Sequence, residues 1–169
     1  MTTVLADLIV FLDRELGTLE REISAYPDDG SLWTTVPGQP TCGGNLALHL
    51  VGNLRHFIGA TLGCTGFQRD RPAEFATKDL PRAEVLAAIR TAREEVAAAL
   101  ASLPPARLAE PFPIELGGAH PTIQAVLLHL GTHLAFHLGQ LDYHRRAVTG
   151  DSTSVGPLDL QHLANPLGR

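Results

Sequence analysis

The chain has 169 residues, 44% of them hydrophobic and 18% charged, and its formal net charge is -5. This size and composition predict one soluble globular domain over residues 1–169, since no stretch approaches about 18 uninterrupted apolar residues. The negative charge gives no electrostatic reason to bind nucleic acid or an anionic membrane, so we expect neither as a partner. The N-terminus lacks the basic leader and cleavage site of an export signal, and we therefore expect a cytoplasmic protein.

The first two predicted helices are separated by a loop that contains proline, glycine and Trp33. The first helix runs from about Thr2 to Ala25, where apolar residues recur at helical spacing, and the segment Tyr26–Gly30 ends it. The second runs from about Gly43 to Leu62, with Thr41 as its predicted N-cap.

The third and fourth predicted helices each begin near a proline, a residue favoured in the first helical turn. The third is alanine-rich and runs from Pro81 to Leu103, where the pair Pro104-Pro105 ends it. A short extended segment is predicted around residues 112–116. The fourth helix follows from about Pro121 to Val148.

Four helices with no alternating strand pattern predict an all-α fold, a four-helix bundle over about residues 2–148. The long loops after the first and second helices permit crossover connections. Residues 149–169 are rich in Gly, Pro and Ser, and we predict a C-terminal extension there with one helical turn near Leu158–Leu163. Because bundles hold metals and ligands between facing helices, their polar stripes are the places to look for a site.

A stripe of polar side chains runs along the fourth predicted helix. At about 100° per residue its members fall within roughly 80° of one another. They are His129, His133, His137, Gln140 and His144. Two buried imidazoles one turn apart, such as His133 and His137, are difficult to satisfy without a shared ion or an acidic partner, so this pair indicates a metal site.

A second polar stripe lies on the second predicted helix and consists of Asn45, His49, Asn53 and His56. If the two stripes face each other, His49 joins His133 and His137 and offers three imidazole nitrogens to one ion. Three protein ligands leave coordination positions open, which is the catalytic rather than the structural pattern for zinc. Nickel, manganese or iron could also occupy such a site.

Other metal centres are excluded by the residues present. The fourth helix contains no glutamate, which excludes both a di-iron carboxylate bundle and the HExxH arrangement of zinc proteases. The chain's one methionine is its first residue and no CxxCH motif occurs, so methionine-ligated haem is excluded too. We interpret His129 and His144 as supporting residues rather than ligands. On residue type alone, His56, His120 and His162 are interpreted as hydrogen-bonded core residues.

The two cysteines, Cys42 and Cys64, match neither a CxxC redox pair nor a zinc knuckle. We interpret both as small buried thiols. Cys42 has a second interpretation, because a thiol near a helix N-terminus can have a lowered pKa.

Several segments, in this order and spacing, resemble the DinB-like superfamily, which includes the YfiT-like proteins proposed to be metal-dependent hydrolases. They are Trp33 in its Pro/Gly loop, NLALHLVGNLRHF, RDRPAEF and HLGTHLAFHLGQL, and the resemblance covers roughly residues 1–148. The resemblance implies a four-helix bundle, commonly a homodimer, with one divalent ion held by His49, His133 and His137. Leu138 stands where relatives often have arginine, so no relative's substrate can be copied.

The resemblance also implies a range of activities. Members with assigned reactions are thiol-dependent transferases and isomerases, such as the mycothiol-dependent maleylpyruvate isomerase and the bacillithiol transferases. We therefore expect zinc or nickel, with manganese or iron as alternatives, a small-molecule substrate and a low-molecular-weight thiol cosubstrate. Asn53, His56, His129, Gln140 and His144 are the candidates for orienting the ligands or contacting substrate.

Three hypotheses about function follow from these residues. The first is an enzyme whose three-histidine site activates a thiol for S-transfer or isomerisation, or a water for hydrolysis. The second is a non-catalytic bundle that a metal stabilises, acting in stress or in ligand sensing. The third is an interaction module without a metal.

Overall fold

Residues 4–156, which the computed structural model describes, form six α-helices, four of them long. The helices are α1 (Val4–Ser24), α2 (Asp29–Trp33), α3 (Gly43–Leu54), α4 (Arg71–Ala76), α5 (Arg82–Ala101) and α6 (Ile123–Thr149). A π-helical segment, Arg55–Ala60, continues α3, and a 3-10 segment, Pro105–Ala109, follows α5. The helical turn predicted near Leu158–Leu163, and His162 with it, lie outside the described residues.

The four long helices form the predicted bundle, and their order around it differs from their order along the chain. Both α1 and α3 pack against α5 and against α6, so α1 and α3 lie on one diagonal and α5 and α6 on the other. The connections from α1 to α3 and from α5 to α6 therefore cross the bundle. We expected the second crossover after α3, but α3 and α5 are neighbours. This arrangement sets α3 beside α6, the two helices that carry the polar stripes.

The ends of α6 are defined by local signals. The Thr122 hydroxyl accepts a hydrogen bond from the backbone N–H of Ala125, which caps the first turn. Gly150 ends the helix in the left-handed conformation with φ of 72°, which glycine adopts without strain. Leucines fill the inner face, from Leu127 to Leu141. The helix thus starts two residues later and ends one residue later than the predicted limits.

The predicted second helix is shorter and less regular than expected. Cys42, not Thr41, occupies the N-cap position of α3, without a side-chain capping bond. Regular α-helix stops at Leu54, because the next residues widen into the π-helical turn. The pattern of apolar residues does not distinguish the two helix types over so short a stretch.

Two short helices and two isolated bridges occupy segments predicted as loop or extended chain. Asp70 caps α4 by accepting a hydrogen bond from the backbone N–H of Ala73. Near the predicted extended segment, isolated antiparallel bridges join Pro111 to Thr122 and Leu116 to Ala119, and residues 4–156 contain no longer strand. Within the same range, no helix has the length and apolar character needed to cross a membrane.

Candidate metal centre

Three histidines from α3 and α6 meet with their ring nitrogens facing one another. The Nε2 atoms of His49 and His133 are 3.3 Å apart, and those of His137 and His133 are 3.1 Å apart. One nitrogen from each of the three lies within 4.8 Å of the others. In residues 4–156 this is the one group of three or more His, Cys, Asp or Glu side chains arranged to hold a metal ion.

The spacing of the three nitrogens fits a metal ion. With zinc–nitrogen bonds of about 2.0–2.1 Å, two ligands of a tetrahedral ion lie about 3.3 Å apart. The two shortest separations in the cluster are close to this value. A ring nitrogen that carries no proton can only accept a hydrogen bond, so without an ion the facing nitrogens would lack donors. The donor set is therefore one that a divalent metal ion satisfies.

The opposite ring nitrogens orient two of the three histidines. His49 Nδ1 lies 2.9 Å from Oε2 of Glu74, to which it donates, and His137 Nδ1 lies 2.7 Å from Oε1 of Gln140. A proton on Nδ1 leaves the Nε2 lone pair free for a metal. The Nδ1 atom of His133 is buried and has no hydrogen-bond partner among the described residues.

Glu74 is held against α3 by groups on both sides. Arg69 donates to its two carboxylate oxygens at 2.6 and 2.9 Å. The Asn45 side chain donates to the Glu74 backbone carbonyl at 3.0 Å and so fastens α4 to α3. Gly52 makes this approach feasible, because a Cβ at that position would collide with the Glu74 carboxylate. Glu74 is thus a buried, charge-paired carboxylate directly behind a candidate ligand.

Burial favours the neutral form of His49 and of His133. Desolvation, together with the neighbouring histidines, lowers the pKa of His133 to about 4. Burial also lowers the pKa of His49, although its contact with Glu74 opposes the shift. Both rings therefore carry a free lone pair at neutral pH, which is the form that binds a metal.

The three histidines form part of the wall of a cavity of about 440 Å³, which we call the metal-side cavity. Its wall includes Arg69, Arg71, Phe75, Asn53 and Gln140. The Arg71 guanidinium lies over the Phe75 ring, 5.2 Å from its centroid. Coordination positions not filled by histidine would therefore face open space bordered by cationic, aromatic and amide groups.

The remaining residues of the predicted stripes are divided between the cluster and the rest of the protein. Asn53 and Gln140 line the metal-side cavity. His129 is exposed, with its ring centroid 6.1 Å from that of His133. His56 lies in the π-helical segment and packs its ring on Phe57, at 4.8 Å between centroids.

His144 is completely buried and bonded elsewhere. Its Nδ1 atom accepts a hydrogen bond from the Tyr26 hydroxyl at 2.7 Å, and its Nε2 atom donates to the Thr34 carbonyl at 2.9 Å. Both ring nitrogens of His144 are thus hydrogen-bonded to the segments that follow α1 and α2. His144 connects α6 to these segments, although its helical angle places it in the same stripe as His137.

Two expectations about other residues are wrong. Cys64 is exposed rather than buried, since it follows the π-helical segment in a loop, with φ of 54°. Cys42 is buried as expected, and its thiol donates to Asn45. His120 is also exposed rather than in the core, although its ring contacts the Phe112 carbonyl at 3.2 Å.

Glu74 and Arg69 were not predicted as site residues. The segment RDRPAEF did contain the signal for a short helix: Asp70 at the N-cap, Pro72 in the first turn and Glu74 shortly after. Nothing in the sequence showed that this helix would pack on α3 beside His49. That contact depends on the tertiary fold.

Comparisons with known proteins give one match. The model of the DinB superfamily matches residues 12–141, a range that contains all three clustered histidines and Glu74. No curated protein and no solved structure matches the chain significantly.

Proposed function

The chain belongs to the DinB superfamily, and from this premise we propose that it is a metal-dependent enzyme that activates a small thiol for transfer to a second substrate. The observation that carries the proposal is the position of the three histidine Nε2 atoms on the wall of the metal-side cavity. A purely structural metal is enclosed by four protein ligands, whereas a catalytic one keeps a position open to substrate.

The chain's own residues have distinct tasks in this proposal. His49, His133 and His137 would hold the ion, with zinc or nickel expected and manganese or iron as alternatives. Glu74 and Gln140 would fix the rings of His49 and His137 by accepting from their Nδ1 atoms. A divalent ion held by three neutral ligands keeps its full charge and lowers the pKa of a coordinating thiol or water.

A thiol suits this cavity better than water does. A free thiol has a pKa of about 8.5, far below that of water, so a thiol needs less help from the metal or from a neighbouring base to ionise. Among the described residues that line the metal-side cavity, none carries a carboxylate. Thiol transfer or isomerisation is therefore the first choice, supported by the superfamily resemblance, and hydrolysis is the alternative.

The test uses untagged protein loaded with zinc or with nickel. Thiol consumption is followed with an electrophilic aromatic acceptor, and hydrolysis with a panel of activated esters and amides. We expect metal-dependent thiol conjugation, and we expect it to be lost in His133→Ala, which removes a candidate metal ligand. Absence of both conjugation and hydrolysis would overturn the enzyme proposal.

A non-catalytic role for the metal is the second candidate, and the position of the ligands favours it. The histidines come from α3 and α6, so an ion shared between them would fasten two helices of the bundle. This role predicts a large fall in melting temperature on chelation, without turnover of any substrate.

We also propose that the protein is a homodimer. Support comes from large apolar side chains on the outer side of α6, where Phe136 is 64% exposed and Tyr143 is 74% exposed. Exposed aromatic side chains on one helix are typical of an interface between copies.

A further inference from the structure

A second cavity, of about 360 Å³, adjoins the cluster at Asn53 and His129. We call it the apolar cavity, and its wall is formed by Phe57, Leu116, Val126, Leu130 and smaller side chains beside those two polar residues. For comparison, an apolar cavity of about 150 Å³ in a protein core accommodates benzene. The apolar cavity is therefore large enough for a ring or a short branched chain.

Asn53 links this cavity to the candidate metal centre. Its side chain lines both the apolar cavity and the metal-side cavity. Only 8% of Asn53 is exposed, and its Oδ1 atom is buried with no hydrogen-bond partner among the described residues. An unpaired buried carbonyl costs free energy, so a ligand that donates a hydrogen bond to it gains affinity.

His129 marks the same boundary from α6. Its ring lies beside His133 of the cluster, and it also borders the apolar cavity. The predicted stripe on α6 thus continues from the candidate ligands to this cavity.

We infer that the apolar cavity binds the hydrocarbon part of the substrate, while the polar head of the same molecule lies at the three-histidine cluster. The substrate class is then a small amphipathic molecule, with an apolar body and a hydrogen-bond donor that reaches the Asn53 carbonyl oxygen. This inference rests on the proposed function, because it assigns the head group to the metal.

The first test uses straight-chain alkanethiols, from ethanethiol to hexanethiol, with cobalt-substituted protein. Binding of the sulfur is followed through the visible absorption of the metal, and the dissociation constant is measured for each chain length. We expect binding to become about threefold to fourfold tighter for each added methylene that enters the cavity.

The matched variants are Ala125→Phe and Ala135→Phe. Both alanines are exposed on α6, but only Ala125 lines the apolar cavity. Ala125→Phe should abolish the gain with chain length, whereas Ala135→Phe should behave like the wild type. A gain with chain length that survives Ala125→Phe would overturn the inference.

A second test requires no metal. Benzyl alcohol and toluene are titrated separately into metal-free protein, and the methyl signals of Val126 and Leu130 are followed by NMR. Both ligands should shift these signals in the wild type but not in Ala125→Phe. In Asn53→Leu, the affinity for benzyl alcohol relative to toluene should fall several-fold, because the hydroxyl loses its acceptor.

The two tests distinguish failure of the inference from failure of the proposed function. If ethanethiol does not bind the metal but benzyl alcohol binds the cavity, the thiol proposal fails and the cavity assignment stands. If ethanethiol binds but longer thiols gain nothing and benzyl alcohol shifts no signals, the inference is wrong and the proposed function is unaffected.

Discussion

His49 lies between Glu74 and His133, with Glu74 Oε2 2.9 Å from its Nδ1 atom and His133 Nε2 3.3 Å from its Nε2 atom. A carboxylate behind a histidine ligand fixes the tautomer and makes the metal-facing nitrogen more basic. Glu74 can act in this way because Arg69 compensates its charge in a buried position.

Glu74→Gln is expected to weaken metal binding about 10-fold to 100-fold without unfolding the protein. The amide keeps the size of the side chain but removes the charge that polarises His49. Affinity is measured by competition with a coloured chelator. The matched control is Glu95→Gln, which removes the carboxylate of another two-bond pair, with Arg55 at 2.9 and 2.8 Å. An equal loss in both variants would contradict a specific role for Glu74.

Replacement of the clustered histidines tests the ligand set directly. His49→Ala, His133→Ala and His137→Ala should each reduce bound metal well below the one ion per chain expected for the wild type, measured by elemental analysis after dialysis. His129→Ala is the control, because His129 is exposed and lies one helical turn before His133. Full metal content in any of the three ligand variants would remove that residue from the site.

Tyr26→Phe should destabilise the protein by about 1–2 kcal/mol, because His144 Nδ1 would lose its donor in a fully buried position. Burial raises the pKa of Tyr26, so its hydroxyl keeps the proton that it donates. Urea unfolding measures the loss. Ser24→Ala, which removes an exposed hydroxyl donor, is the control and should have little effect, and metal content should be unchanged in both variants.

The stability of metal-free protein should fall as the pH decreases below about 6.5, the ordinary pKa of histidine. Burial lowers the pKa of His144 in the folded state, so as the pH falls the unfolded chain binds the proton first and becomes relatively more stable. Above about pH 6.5 the contribution of neutral His144 to folding stability is fully present. It is lost as the pH falls toward the folded-state pKa of His144.

The contribution of His144 can be isolated by substitution. His144→Gln should reduce the pH slope of the unfolding free energy by at most about 1.4 kcal/mol per pH unit, the limit for one proton. Urea titrations at pH 7.5, 6.5 and 5.5 supply the slopes, with His120→Gln as the control at an exposed position. If both variants have the same slope, His144 does not carry the effect.

The outer face of α6 tests the homodimer. Phe136→Glu should convert a dimer to a monomer, because it places a charge where an exposed aromatic side chain would be buried against a second copy. Val4→Glu on α1, where the valine is 48% exposed, is the control. Light scattering after gel filtration gives the mass of each. A monomeric wild type would overturn the dimer proposal.

The bundle and the cluster were accessible from sequence because both depend on helical periodicity. The four-helix fold is confirmed, and the spacing of His133 and His137 places them on one side of α6 whatever the tertiary arrangement. Periodicity alone could not separate His144 from them, because its partners Tyr26 and Thr34 come from a distant loop. Glu74 was missed for the same reason, since only the packing of α4 on α3 brings it to His49.

The sequence distance between the candidate ligands has a consequence for folding kinetics. His49 on α3 and His133 on α6 are 84 residues apart. The chain between them contains α5 and the crossing connection from α5 to α6. Contacts this distant form late, because closing such a loop costs chain entropy before any contact is gained. A metal bound at the cluster should therefore leave the folding rate constant nearly unchanged and lower the unfolding rate constant of the protein.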